Sequence, residues 1–143
     1  NHFENAAARI QRPELSAKGE DGSTLSVPFR NAGFIQMKGR RVFQEAVRCM
    51  MNSLNRVCDR DGIQVDELDL VVPHQANQRI IDAIQHRINP HVFSNIAQHG
   101  NTSSSTIPLC LHELLPSIKA GQSIGFCAFG GGFTFGASII KTL

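Results

Sequence analysis

This chain of 143 residues lacks any strong charge bias: 14 basic and 12 acidic side chains leave a net charge of +2 at pH 7. That balance is too small to imply a nucleic-acid or membrane partner. Also missing is any apolar run near the ~18 residues that a membrane span requires. Nothing at the start reads as a signal peptide. The four cysteines, Cys49, Cys58, Cys110 and Cys127, include no C-x-x-C pair. Scattered in this way, they are expected to fill core space as small hydrophobes, not to form disulfides or a zinc site. The six histidines fall into no cluster with structural-site spacing, so no metal is expected. Unpaired thiols fit a reducing cytoplasm. No internal repeat or low-complexity segment is present. The chain opens on Asn1, not Met, which predicts a fragment of a longer protein.

What is present is an ordinary globular composition, 41% apolar and 18% charged, and a length that suits one domain with a real core. Residues 1–36 are polar and broken by Pro13, Gly19, Gly22, Pro28 and Gly33, which predicts short strands and loops with "DGST" as a turn. In "MKGRRVFQEAVRCMMNSLNRVC" the apolar residues Val42, Phe43, Ala46, Val47, Met50, Met51, Leu54 and Val57 recur at helical spacing without a proline. A long helix is expected. "LDLVVP" reads as a short buried strand, and "ANQRIIDAIQHRI" as a helix with Ile80, Ile81, Ile84 and Ile88 on one face. "HVFSNIA" reads as a further strand, and "TSSSTIPLCLHELLPSI" as a helix whose leading hydroxyls suit capping. Two apolar strands, "QSIGFCAF" and "FTFGASII", are joined across "GGG". This order predicts an α/β layered fold.

Three loops fall at comparable places. "PHQAN" and "HGNTSS" each follow a strand and precede a helix, and "FGGGF" links the last two strands. In α/β sheets such loops gather at one edge, where ligands bind. His74, Asn101 and the glycines are thereby candidates for one site. Taken singly, each has a bland alternative. His74 can be a satisfied polar group at a strand end, Asn101 a turn residue, and the glycines a hairpin device.

In this order, "VVPHQANQRII", "QHGNTSSSTIPLCLHELL" and "FCAFGGGFTFGASII" resemble the C-terminal half of a β-ketoacyl-acyl carrier protein synthase III, in the thiolase-like superfamily. The likeness runs from about "DGSTL" to the end and includes "MKGRRVF"; residues 17–143 are read as this domain, and residues 1–16 match poorly. The resemblance implies one of two pseudo-repeated halves, a mixed β-sheet covered by helices. It also implies an acyltransferase of fatty acid initiation that condenses an acyl thioester with malonyl-acyl carrier protein. His74 and Asn101 match the family's catalytic pair, which stabilises the enolate formed on decarboxylation. The backbone N–H of Gly131 matches an oxyanion contact, and Phe129 supports the pair from below.

Gly39, Ala76 and Asn77 match residues lining the phosphopantetheine channel, and Phe43 either points toward the acyl tunnel or is a plain core residue. Arg79 resembles a residue that docks the acidic carrier protein. Arg40, Arg41 and Arg48 extend that patch or form a solvated helix face. The implied partners are acyl carrier protein, acyl-coenzyme A and malonyl thioesters, the protein's own N-terminal half, and a second copy in a homodimer. No cofactor beyond the thioester substrates is implied. The family's nucleophilic cysteine sits on a strained turn of the N-terminal half, and none of the four cysteines has that setting. The chain alone is therefore expected to be inactive. Alternatives are a synthase III-like acyltransferase or quinolone- or polyketide-type condensing enzyme, and a non-catalytic carrier-protein docking module.

Overall fold

The computed structural model describes residues 7–27 and 33–143; the break expected at Pro28 lies outside them. The elements that frame the site are the helix α1 (Gly39–Arg60), the strand β5 (Leu70–Pro73), the helix α2 (Gln78–Gln85), the strand β6 (His91–Val92), the helix α4 (Thr106–Leu114), and the strands β7 (Ser123–Gly130) and β8 (Thr134–Thr142). Before them come β1 (Ala8–Ile10), β2 (Glu14–Ala17), β3 (Leu25–Ser26) and β4 (Gln36–Met37), and between β6 and α4 lies the single turn α3 (Ile96–His99). The main sheet runs β1-β8-β7-β5-β6, with β2 also on β8. Strand β5 is parallel to β6 and β7, whereas β8 is antiparallel to β7, β1 and β2. The sheet is therefore mixed, as expected. Residues 8–17, which carry little of the sequence resemblance, are nevertheless part of it, because β1 and β2 extend along β8.

Alternation along the strands divides the core. Val71 packs with Met50, Leu54 and Ile84 of α1 and α2 on one face, while Val72 packs with Cys110, Leu114 and Ile124 under α4 on the other. All four cysteines are buried free thiols, as their scatter predicted. Among the described residues no helix is long and apolar enough to cross a membrane.

Three sequence expectations need correction. The "DGST" segment is not an isolated turn but the end of a 3-10 helix, Gly19–Thr24. "HVFSNIA" pairs as a strand only over His91–Val92, after which Ile96–His99 coils into one helical turn. The cause is Asn95, whose buried N–H is taken by Gln75 Oε1 at 3.2 Å instead of by the sheet. The hydroxyl run does not cap α4 through a side chain: Ser105 makes no capping hydrogen bond, and Ser103–Ser105 form a 3-10 turn ahead of the helix.

Candidate active site

His74 is the first residue past β5, and its side chain falls on the same face as Val72, toward α4. Its N–H donates to the Cys127 carbonyl at 2.8 Å, so β7 fixes the backbone. The ring Nδ1 lies 2.7 Å from the Thr106 hydroxyl at the start of α4. Burial pushes the imidazole pKa below its ordinary value. The N-terminus of α2 does not supply that effect, because α2 begins only at Gln78, with Asn77 as its cap accepting from the Ile80 N–H at 3.0 Å. Desolvation is the cause.

A lowered pKa gives a signed stability effect. The unfolded chain binds the His74 proton more readily than the folded one. Folding stability therefore rises with pH across a window whose upper edge is the ordinary histidine pKa of about 6.5. Urea unfolding at pH 7.5 and 5.5 should show a loss toward acid that shrinks in His74→Gln. Equal losses in both proteins would assign the effect to other groups.

Asn101 sits in the loop between α3 and α4, and its side chain is exposed. The Ser103 N–H donates to its Oδ1 at 2.9 Å, which turns the Nδ2 group toward the Ala76 carbonyl, 3.4 Å away. Ser103 holds that N–H in place from the left-handed region, φ 57°, a cost that folds tolerate at working sites. The loops bearing His74 and Asn101 are thus joined directly.

A polar network that the sequence did not reveal stands behind both loops. The fully buried Gln75 donates to the carbonyls of Pro73 (2.9 Å) and Phe93 (3.2 Å) and accepts from Asn95 N–H. The Asn95 amide donates to Glu113 at 2.9 Å, and the same carboxylate oxygen lies 2.7 Å from Nε2 of His99. Those two partners, Asn95 first, hold the Glu113 pKa below the ordinary range. Gln75 and Glu113 look in sequence like any polar loop and helix residues, and only the fold shows that they lock strand end, loop and helix together.

The glycine turn between β7 and β8 brings Gly131 to the surface beside Leu25, whose carbonyl oxygen would lie 3.7 Å from an added Cβ. Among the described residues no acceptor is bonded to the Gly131 N–H. Gly132, at φ 139° and with Thr134 N only 2.9 Å from where a Cβ would stand, has no room for another residue. Phe133 is fully buried with its ring 4.7 Å from that of Phe129, on the α1 face. Phe129 therefore lies beneath the sheet relative to His74.

Two concavities adjoin the site. On the α4 face an open trough of 880 Å³, bordered by His74, Ile107, Phe126, Ala128 and Leu15, leaves apolar sheet uncovered. On the other side a cleft of 320 Å³ is bordered by Gly39, Phe43, Asn77 and Arg79. Phe43 thus faces this cleft and not the trough, with the Arg79 guanidinium 5.7 Å from its ring centroid. Ala76 is not a wall of the cleft but is half-buried against the core. A Cβ on Gly39 would meet nothing within 4 Å, so the space there is not required by the chain's own packing. Arg40 is exposed. Arg41 and Arg48 turn instead to the buried Glu45, and Arg41 also to Asp21. Those ion pairs weaken the idea that Arg41 and Arg48 extend a docking patch.

No cysteine is poised for nucleophilic chemistry. Burial pushes the thiols of Cys58 and Cys110 up to about 11 and that of Cys127 to about 12, and raises Cys49 as well. Thiolate, the reactive form, is suppressed in all four.

Residues 58–142 match the family described as 3-Oxoacyl-[acyl-carrier-protein (ACP)] synthase III C terminal. The chain is 43% identical over 116 residues to the beta-ketoacyl-[acyl-carrier-protein] synthase III of Aquifex aeolicus, covering 78% of this chain and 38% of that protein. It is 39% identical over 132 residues to the protein of the same name from Desulfotalea psychrophila, covering 89% and 41%. The crystal structure of the Aquifex aeolicus 3-oxoacyl-[acyl-carrier-protein] synthase III superposes with a TM-score of 0.88 at 38% identity, covering 96% of this chain and 46% of that one. The chain thus spans less than half the length of each of these relatives.

Proposed function

The chain belongs to the 3-oxoacyl-[acyl-carrier-protein] synthase III family, of whose thiolase-like fold it forms the C-terminal half, and from that membership we propose that it carries the decarboxylating side of a condensing active site. The reaction is the union of an acyl thioester with malonyl-acyl carrier protein at the start of fatty acid synthesis. The observation that carries this reading is the meeting of the loop after β5 with the loop after α3, where the Asn101 carboxamide reaches the carbonyl two residues past His74.

Loss of carbon dioxide leaves the bonding electron pair on an enolate, with negative charge on the thioester oxygen. A neutral imidazole N–H from His74 and the carboxamide N–H of Asn101 stabilise that oxygen without a competing formal charge. The lowered pKa of His74 keeps the ring neutral at working pH. The Gly131 N–H serves the carbonyl oxygen of the acyl-enzyme, and Phe129 holds the floor. The substrates bring their own phosphopantetheine arm, and no metal or further cofactor takes part. The cleft of Gly39, Phe43 and Asn77 receives that arm.

The cysteine that takes the acyl group comes from a part of the protein outside these 143 residues, since burial silences the four thiols described above. That N-terminal half covers the apolar trough beside His74. We assign residues 17–143 to the synthase III C-terminal domain, with β1 and β2 completing its sheet edge, and expect a cytoplasmic homodimer. The test is to supply the intact protein with acyl-coenzyme A and malonyl-acyl carrier protein and to follow carbon dioxide and 3-ketoacyl product. Carrier-protein binding without either product would identify a docking module instead.

Arg79 lies exposed at the rim of the cleft and, with Arg40, offers positive charge to an acidic carrier. Arg79→Glu in the intact enzyme should raise KM for malonyl-acyl carrier protein several-fold and change malonyl-coenzyme A turnover less, with the difference fading at high salt. An equal loss with both substrates, together with a lower Tm, would make Arg79 a structural residue through its contact with Phe43.

A further inference from the structure

We propose that Thr106 is a positioning residue, its hydroxyl donating a hydrogen bond to Nδ1 of His74 and so fixing the ring with its proton on Nε2. This rests on the role given to His74 above. Thr106 is 2% exposed, and its Oγ1 lies 2.7 Å from Nδ1. Among the described residues that contact is the hydroxyl's one hydrogen bond, and the one bond of the imidazole.

Two directions are open to the bond. If Nδ1–H donated, the hydroxyl hydrogen would be buried with no acceptor. If the hydroxyl donates, only spare lone pairs remain, which is the milder loss. A threonine in a helix ordinarily turns its hydroxyl back to a carbonyl three or four residues earlier. Thr106 does not. The Ser103 carbonyl is taken by its backbone N–H, and the hydroxyl reaches across to the sheet.

The consequence is geometric. With Nδ1 occupied by α4, the ring's single N–H is the one on Nε2, at the opposite edge. The N-terminus of α4 therefore decides which nitrogen donates and at what angle the ring stands. Asn101 has the same arrangement one turn earlier in the chain, where the Ser103 N–H holds Oδ1 and leaves the amide hydrogens to donate.

The test uses the intact enzyme with ¹⁵N-labelled histidine, and His74 is identified by the signal lost in His74→Ala. The wild type should show His74 protonated on Nε2 and bare at Nδ1. Thr106→Val should erase that preference and slow malonyl decarboxylation by about 10- to 100-fold, with KM changed less, as expected for a misaligned donor that is not removed outright. Thr106→Ser should restore both. A wild-type ring protonated on Nδ1, or a valine variant that keeps the wild-type tautomer and rate, would overturn the proposal. The wild-type spectrum decides the bond direction even if the valine variant misfolds. If His74→Ala itself decarboxylates normally, the catalytic role of His74 fails while the spectrum still settles the bond.

Discussion

His74→Ala in the intact enzyme should slow malonyl decarboxylation by about 10²–10³-fold, and Asn101→Ala should do the same, because under the proposed function each removes one donor aimed at the developing enolate oxygen. Acyl transfer to the nucleophilic cysteine should be far less affected, since neither side chain is asked to act on that step. Release of labelled carbon dioxide and formation of acyl-enzyme are measured separately to distinguish the two. The double variant should lose less than the product of the single losses, because one misplaced donor already spoils the shared oxyanion site. Normal decarboxylation in either single variant would remove that residue from the mechanism.

Phe133→Ala should be the most damaging change outside His74 and Asn101. Its ring is fully buried against Phe129, and truncation of such a side chain costs about 3–5 kcal/mol. Its backbone adds to the case: Phe133 and Lys18 exchange N–H to carbonyl bonds of 2.9 and 2.7 Å, tying the glycine turn to the preceding 3-10 helix. The void would open under the segment that presents the Gly131 N–H, so, if that N–H has the oxyanion role proposed for it, acyl-enzyme formation should suffer along with stability. Urea titration supplies the free energy, and Phe133→Leu should recover most of it. A loss under about 1 kcal/mol would show that the turn closes over the gap.

The periodicity of Val42 through Val57 was enough to read α1, because one apolar stripe over so many turns has no strand equivalent. The pair of runs around the three glycines was equally legible as β7 and β8. The stretch from His91 to His99 was not. Its apolar residues suit a strand, but a side chain from another loop, Gln75, captures the Asn95 N–H that would have continued the ladder. For the site, His74 and Asn101 stood out through the motifs around them, and the structure adds the contact between their loops. Thr106 was hidden in a run of five hydroxyl residues. Nothing local marks which of them faces an imidazole 32 residues away. Arg41 was equally opaque: its ion pairs with Asp21 and Glu45 depend on how the Gly19–Thr24 segment folds back on α1.

The seam between β5 and β7 has a bearing on how the molecule comes together. Strands β7 and β8 are joined by a three-residue turn and can zip at once, whereas Pro73 must find Cys127 across α2, β6, α3 and α4. Closing so long a loop is entropically costly and is rewarded only when the whole parallel pairing forms. The seam is where His74 acquires its backbone bond to Cys127. During refolding the hairpin amides should therefore gain protection from hydrogen exchange before the His74 amide does. Chains caught before the seam closes would hold the hairpin but not a placed His74, so the function proposed for that imidazole would depend on long-range pairing and not on the hairpin alone.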